Sequence, residues 1–191
     1  CKFFRCGVEA WDMPNAAAPC ILVIFGASGD LAKRKLIPAV YEMAREKLLP
    51  EKFALVGYAR SEMSDEDFRK EFREAVQKFA RTKPVDDAIL KRVEAGVSYL
   101  AGGYDDPAGH DRLARKLSEL DGTLGTSGNR LFYLSPSPET FYPIIENLGR
   151  IKAKGNEKSY QRIIIEKPFG TDLATAKKLN DSLHKDFSEE D

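Results

Sequence analysis

The residues best suited to chemistry begin with Gly26-Ala27-Ser28-Gly29-Asp30-Leu31-Ala32, between the apolar run Cys20–Phe25 and the cations Lys33-Arg34-Lys35. Gly26 permits a tight turn, and Gly29 lets the backbone approach a pyrophosphate. Ala32 is small enough for close helix–strand packing. A helix opening here offers free N–H groups and a partial positive charge. The spacing is neither that of a P-loop, GxxxxGK[ST], nor a strict GxGxxG. A plain strand-to-helix turn would use similar residues, so the turn alone leaves phosphate binding open.

Arg60-Ser61 follows the next apolar run, with no acid before Glu62. After the second strand of a dinucleotide fold, an acid accepts hydrogen bonds from a ribose 2′-OH, whereas a guanidinium can clamp a 2′-phosphate. Arg60 therefore favours NADP over NAD. Lys167 sits in Glu166-Lys167-Pro168-Phe169-Gly170, directly after the apolar Ile163–Ile165. A lysine there can bind an anionic or hydroxylated substrate beside a nicotinamide; pairing with Glu166 is the alternative. Within the cationic run, Lys35 is the candidate for a substrate phosphate. His110 and His184 are the only histidines, and both read as surface residues of helices. Neither is placed as a general base. No metal-ligand cluster and no Ser/His/Asp or Cys/His arrangement stands out.

The elements that position these residues alternate. Strands are expected at Cys20–Phe25, Phe53–Val56, Val97–Leu100, Asn129–Leu134 and Arg162–Ile165, the last read as the clearest buried strand. The first helix runs from Lys33 with Leu36, Ile37, Val40, Met43 and Ala44 inward. Ser64 with Asp67 caps a second helix carrying Phe68, Phe72, Val76 and Phe79 until Pro84 ends the segment, and Val85–Glu94 is a short third. Pro107 opens a helix through Leu120, Ser137-Pro138 another with Phe141, Ile144, Ile145 and Leu148 inward, and Asp172 caps a last one with Leu173, Ala176, Leu179 and Leu183 inward. Such alternation predicts an α/β fold, a doubly wound, Rossmann-like parallel sheet with helices on both faces. GASGDLA, GYARS, GGYDD and EKPFG each follow an expected strand, so all should reach the carboxyl edge where ligands bind.

At 191 residues the chain suits one domain, read as an N-terminal arm over 1–19 and a dinucleotide-binding domain over 20–191. Lys plus Arg balances Asp plus Glu at 30 each, so no global field favours nucleic acid or an anionic membrane. No apolar run approaches the ~20 residues of a membrane span. Cys1, Cys6 and Cys20 match neither a disulfide framework nor a CxxC site and suit a reducing cytoplasm. Both ends read as cut, since the chain opens on Cys1 and stops at Ser188-Glu189-Glu190-Asp191.

From Ile21 to Asp191 the sequence resembles the N-terminal part of glucose-6-phosphate dehydrogenases, carried by GASGDLA with KRKLIPA, LVGYARS, GGYDD, NRLFYL and RIIIEKPFGTDLATAKKLN. The resemblance implies oxidation of β-D-glucose 6-phosphate to 6-phosphogluconolactone with hydride passing to NADP⁺. It places Gly26 through Ala32 at the coenzyme pyrophosphate, Arg60 and Ser61 at the 2′-phosphate, and Tyr104 beside the coenzyme. Phe141 falls where the family often has an aromatic near the nicotinamide, and Lys167 would touch coenzyme and sugar phosphate. In the family, FxExQ leads into RIDHYLGKE and a C-terminal α+β domain that holds the general-base histidine and the dimer interface. Here the chain ends at Phe187-Ser188-Glu189-Glu190-Asp191, so the expectation is a coenzyme half, inactive alone, of a homodimer or homotetramer. A non-catalytic NADP-binding module is the alternative, as is a sugar oxidoreductase of the glucose–fructose oxidoreductase type.

Overall fold

In the computed structural model, which describes residues 17–152, 159–170 and 172–188, apolar runs bounded by turn residues form a five-stranded parallel sheet. The strands are β1 (Cys20–Phe25), β2 (Phe53–Ala59), β3 (Val97–Ala101), β4 (Arg130–Leu134) and β5 (Gln161–Ile165). Their order is β3-β2-β1-β4-β5, with β1 central and paired in register from Ile21↔Ala54 on one side and Ile21↔Arg130 on the other. The chain therefore winds outward through β2 and β3, then crosses back past β1. That reversal opens a crevice at the carboxyl ends of β1 and β4.

The helices are α1 (Ile37–Arg45), α2 (Asp65–Phe79), α3 (Asp87–Glu94), α4 (Pro107–Leu124), α5 (Phe141–Ile151) and α6 (Leu173–Leu183). Strand side chains alternate in direction. Ile24 and Leu55 join α1, α2 and α3 in one core, whereas Val23, Phe25, Val56 and Phe132 join α4, α5 and α6 in another. Caps follow the sequence. Ser64 accepts from the Asp67 amide at 3.0 Å, Asp106 from the Ala108 and Gly109 amides, and Asp172 from the Thr175 amide at 2.8 Å.

Several boundaries and faces depart from expectation. The first helix opens as a π-helical turn, Ala32–Leu36, closed by the Ile37 amide on the Ala32 carbonyl. The extra residue in that turn shifts the helical phase. Ile37, Val40, Tyr41 and Ala44 face inward, and Met43 is left 42% exposed. The segment that Pro84 was expected to end stops as a helix at Phe79, and α3 starts at Asp87, capped by Asp86. Helix α4 continues to Leu124, and a 3-10 turn, Pro138–Thr140, precedes α5. Leu173, in the first turn of α6, is 72% exposed rather than inward. Strand β5 is an edge strand and not the best buried. Ile163 and Ile165 pack on the second core, but Ile164 is 40% exposed because α1 to α3 cover only the other half of the opposite face. Residues 1–16 of the N-terminal arm lie outside the described residues.

One glycine inside β2 is required by close approach. A Cβ on Gly57 would stand 2.6 Å from Phe68 Cζ and 2.9 Å from Ala27 Cβ. Gly57→Ala should therefore lower the unfolding free energy by about 1–3 kcal/mol, the usual cost of overpacking. Urea titration measures it, and an unchanged midpoint would show that the contact yields freely.

Candidate functional site

Parallel pairing brings the glycine turn, Arg60, the Gly102-Gly103-Tyr104 turn and Glu166-Lys167 to one edge, each directly after its strand. The glycine turn is bonded on both sides. The Gly26 amide donates to the Tyr58 carbonyl at 2.8 Å and the Gly29 amide to the Gly26 carbonyl at 2.9 Å. Across the crevice, the Ser135 hydroxyl and amide both donate to the Phe25 carbonyl, at 2.6 and 3.1 Å. Gly26 has φ +82°, and a Cβ there would lie 2.9 Å from Ser135 Oγ. Only glycine fits this turn without strain. Among the described residues, no backbone carbonyl accepts from the amides of Ser28, Asp30, Leu31 or Ala32. These amides are left free at the start of a helix, an arrangement in which a phosphate can be held.

Arg60 is exposed at the end of β2, its guanidinium 5.6 Å from the centre of the Tyr104 ring. Tyr104 is buried, which pushes its hydroxyl pKa up against the opposing pull of Arg60. Ser61 presents its carbonyl inward, accepting from the Tyr99 hydroxyl at 2.7 Å. Lys167 is exposed. Its neighbour Glu166 accepts from the Tyr133 hydroxyl on β4, a bond across strands rather than a pairing with Lys167.

Two candidates sit elsewhere. Phe141 is 1% exposed within the second core, because α5 starts there and turns the ring inward. It offers no ring face to a nicotinamide. Lys35 lies in the π-helical turn before α1 and lines a cavity of about 470 Å³ with Arg34, Met43, Phe79 and Arg81, and no residue of the carboxyl edge lines it. Among the described residues, no group of three His, Cys, Asp or Glu could hold a metal, and no helix is long and apolar enough to cross a membrane.

The family profile described as "Glucose-6-phosphate dehydrogenase, NAD binding domain" matches residues 23–191. The chain belongs to the glucose-6-phosphate dehydrogenase family. It is 41% identical over 179 residues to the glucose-6-phosphate 1-dehydrogenase of Chlamydia muridarum, covering 92% of this chain and 35% of that protein. Identity to glucose-6-phosphate 1-dehydrogenase 2 of Mycobacterium bovis is also 41%, over 93% of this chain and 35% of the relative. A solved glucose-6-phosphate dehydrogenase in complex with its substrate glucose-6-phosphate superimposes with a TM-score of 0.78 at 36% identity, over 93% of this chain and 36% of that one. The glucose-6-phosphate 1-dehydrogenase structure from Mycobacterium avium gives 0.73 at 32% identity, over 90% and 35%. The chain thus spans about a third of the length of its relatives, and within this family it is the nucleotide-binding domain.

Sequence reasoning missed the tyrosines behind the edge and misplaced one histidine. Tyr58 is buried beside Gly102 and Gly109, and its hydroxyl donates to the Gly103 carbonyl at 2.9 Å. His110 is not a surface residue. It is fully buried on the inner row of α4 with Leu113 and Leu117, stacked on Phe25 at 5.9 Å and tilted against Tyr58 at 5.3 Å. The spacing 110, 113, 117 is the signal that could have placed it. Its Nδ1 meets the Asp106 carbonyl at 2.9 Å, whereas Nε2 is buried without a partner. His184 is exposed just beyond α6, as read.

Burial holds His110 below its ordinary pKa of 6.5, with Arg150 adding to that and the Asp106 carbonyl, Asp106 and Asp111 opposing. The fold thus favours the neutral ring, while the unfolded chain takes up a proton near 6.5. Its contribution to stability is complete above that pH and is lost as pH falls below it. His110→Phe should flatten the drop in melting temperature between about pH 6.5 and 5. An equal drop in both proteins would assign the effect to other groups.

Proposed function

We propose that this chain binds NADP⁺ as the coenzyme domain of an enzyme that oxidises D-glucose 6-phosphate to 6-phospho-D-glucono-1,5-lactone. The observation that carries the choice of coenzyme is Arg60. It is exposed at the end of β2, level with the unpaired amides of the glycine turn, and among the described residues no carboxylate pairs with it.

In this reading, the amides of Asp30, Leu31 and Ala32 meet the pyrophosphate, and the Arg60 guanidinium clamps the ribose 2′-phosphate. When bound, NADP⁺ supplies a hydride acceptor at its nicotinamide. Lys167 holds the anionic sugar phosphate against the crevice, close to where β1 and β4 end. The tie between Tyr133 and Glu166 directs the neighbouring carboxylate toward β4, which leaves the Lys167 ammonium for a ligand. Removal of the C1 hydroxyl proton needs a base, and neither histidine here provides it. His110 is sealed in the core, and His184 stands beyond the far end of α6. That base and the remaining sugar contacts belong to a substrate domain outside this chain, as does a homodimer or homotetramer interface. A cytoplasmic setting agrees with the unpaired, buried thiol of Cys20.

Calorimetry on this chain should show tighter binding of NADP⁺ than of NAD⁺, with Arg60→Ala erasing the difference by about tenfold or more, the worth of charge-assisted hydrogen bonds. Equal affinities in the parent would refute the assignment. In the complete polypeptide carrying this domain, NADPH should form on addition of glucose 6-phosphate. Lys167→Ala should there lower kcat/KM by about a hundredfold. A full rate in that variant would remove Lys167 from the substrate site.

A further inference from the structure

We propose that Tyr99 is a positioning residue for coenzyme choice, its hydroxyl and backbone amide together fastening the connection that aims Arg60. The inference deepens the reading of Arg60 above and rests on it.

The connection from β2 to α2, Arg60-Ser61-Glu62-Met63-Ser64, has no proline and no buried aromatic to stiffen it. It is held from outside. Tyr99 stands on β3, in register with Gly57. Its hydroxyl donates to the Ser61 carbonyl at 2.7 Å, and its backbone amide donates to the Asp65 carboxylate at 2.6 Å. A single residue therefore ties down both ends of the connection. Burial pushes the Tyr99 hydroxyl up to about 12, which keeps it protonated and able to donate.

The ring is itself immobilised. Tyr99 is buried with its centroid 5.0 Å from that of Phe68, the side chain that fills the space over Gly57. Both tethers are thus in place before any ligand arrives. A guanidinium on a slack loop would lose conformational freedom on clamping a phosphate, and this cost falls when the loop is already held. A slack connection would also let Glu62, the acid two residues on, swing toward the same ribose position. A carboxylate there suits a free 2′-OH and repels a 2′-phosphate. Tyr99 thereby selects for the phosphorylated coenzyme through backbone placement, with no contact to the ligand.

The test is calorimetric titration of the parent, Tyr99→Phe and Arg60→Ala with both NADP⁺ and NAD⁺. Tyr99→Phe keeps the ring and removes the hydroxyl. Its NADP⁺ affinity should fall about three- to tenfold, the worth of an ordinary hydrogen bond, with NAD⁺ changed by less than about twofold. The preference ratio therefore narrows. Asp65→Asn, which weakens the other tether, should narrow it in the same direction and stands in should Tyr99→Phe not fold. A purely structural role would lower the melting temperature and weaken both coenzymes alike, and an unchanged ratio overturns the proposal. If Arg60→Ala abolishes the preference while Tyr99→Phe preserves it, only the role of Tyr99 falls. If neither variant moves the ratio, the assignment of Arg60 falls with it.

Discussion

The Gly26 amide reaches the Tyr58 carbonyl at 2.8 Å, and through that bond the end of β1 is tied to the end of β2. Ser135 makes the matching tie from β4 by donating twice to the Phe25 carbonyl. The chain must reverse direction between these two anchors while leaving the amides of Ser28, Asp30, Leu31 and Ala32 without a backbone acceptor. A residue with a side chain at position 26 would meet Ser135 and could not hold φ +82° without strain. The free amides at the start of the helix depend on this constraint.

Behind the edge stands a set of tyrosines that converts sheet geometry into loop geometry. Tyr58 holds the Gly103 carbonyl, Tyr99 holds the Ser61 carbonyl, and Tyr133 holds Glu166. Each grows from a strand, whose register is set by the ladder, and each bonds a loop that has no regular structure of its own. A phenol suits this work because a rigid ring fills core space while its hydroxyl reaches a polar partner. Gly102 and Gly109 make room for the Tyr58 ring, and Gly57 for Phe68. His110 completes the packing around Tyr58 as a neutral ring and takes no part at the ligand edge.

The sheet is unevenly covered. Helices α4 to α6 close one face, whereas α1 to α3 leave Arg162 and Ile164 of β5 exposed on the other. An edge strand with an apolar, solvent-facing residue is exposed beside Lys167, at the border of the proposed substrate site. The chain spans about a third of the length of its relatives, and a substrate domain is the part of the proposed enzyme that this domain does not supply.

The sheet, its parallel sense and the edge on which ligand turns gather were legible in the sequence, because short apolar runs each ending in glycine or charge have few other solutions. That Gly26, Arg60 and Lys167 lie at that edge was legible for the same reason: each directly follows such a run. Residues whose role depends on which face meets which helix were not. His110 went inward, Met43 and Leu173 outward, and Lys35 to a cavity that no residue of the carboxyl edge lines. Periodicity within one helix is blind to an inserted residue in a π-turn and to an absent neighbour over an edge strand. The bonds from Tyr99 to Ser61 and from Tyr133 to Glu166 join residues 38 and 33 positions apart, and only the folded sheet brings them within reach. Local sequence thus determined which residues could meet a ligand. Tertiary packing decided which are held in place to do so, since that restraint comes from strands distant in the chain.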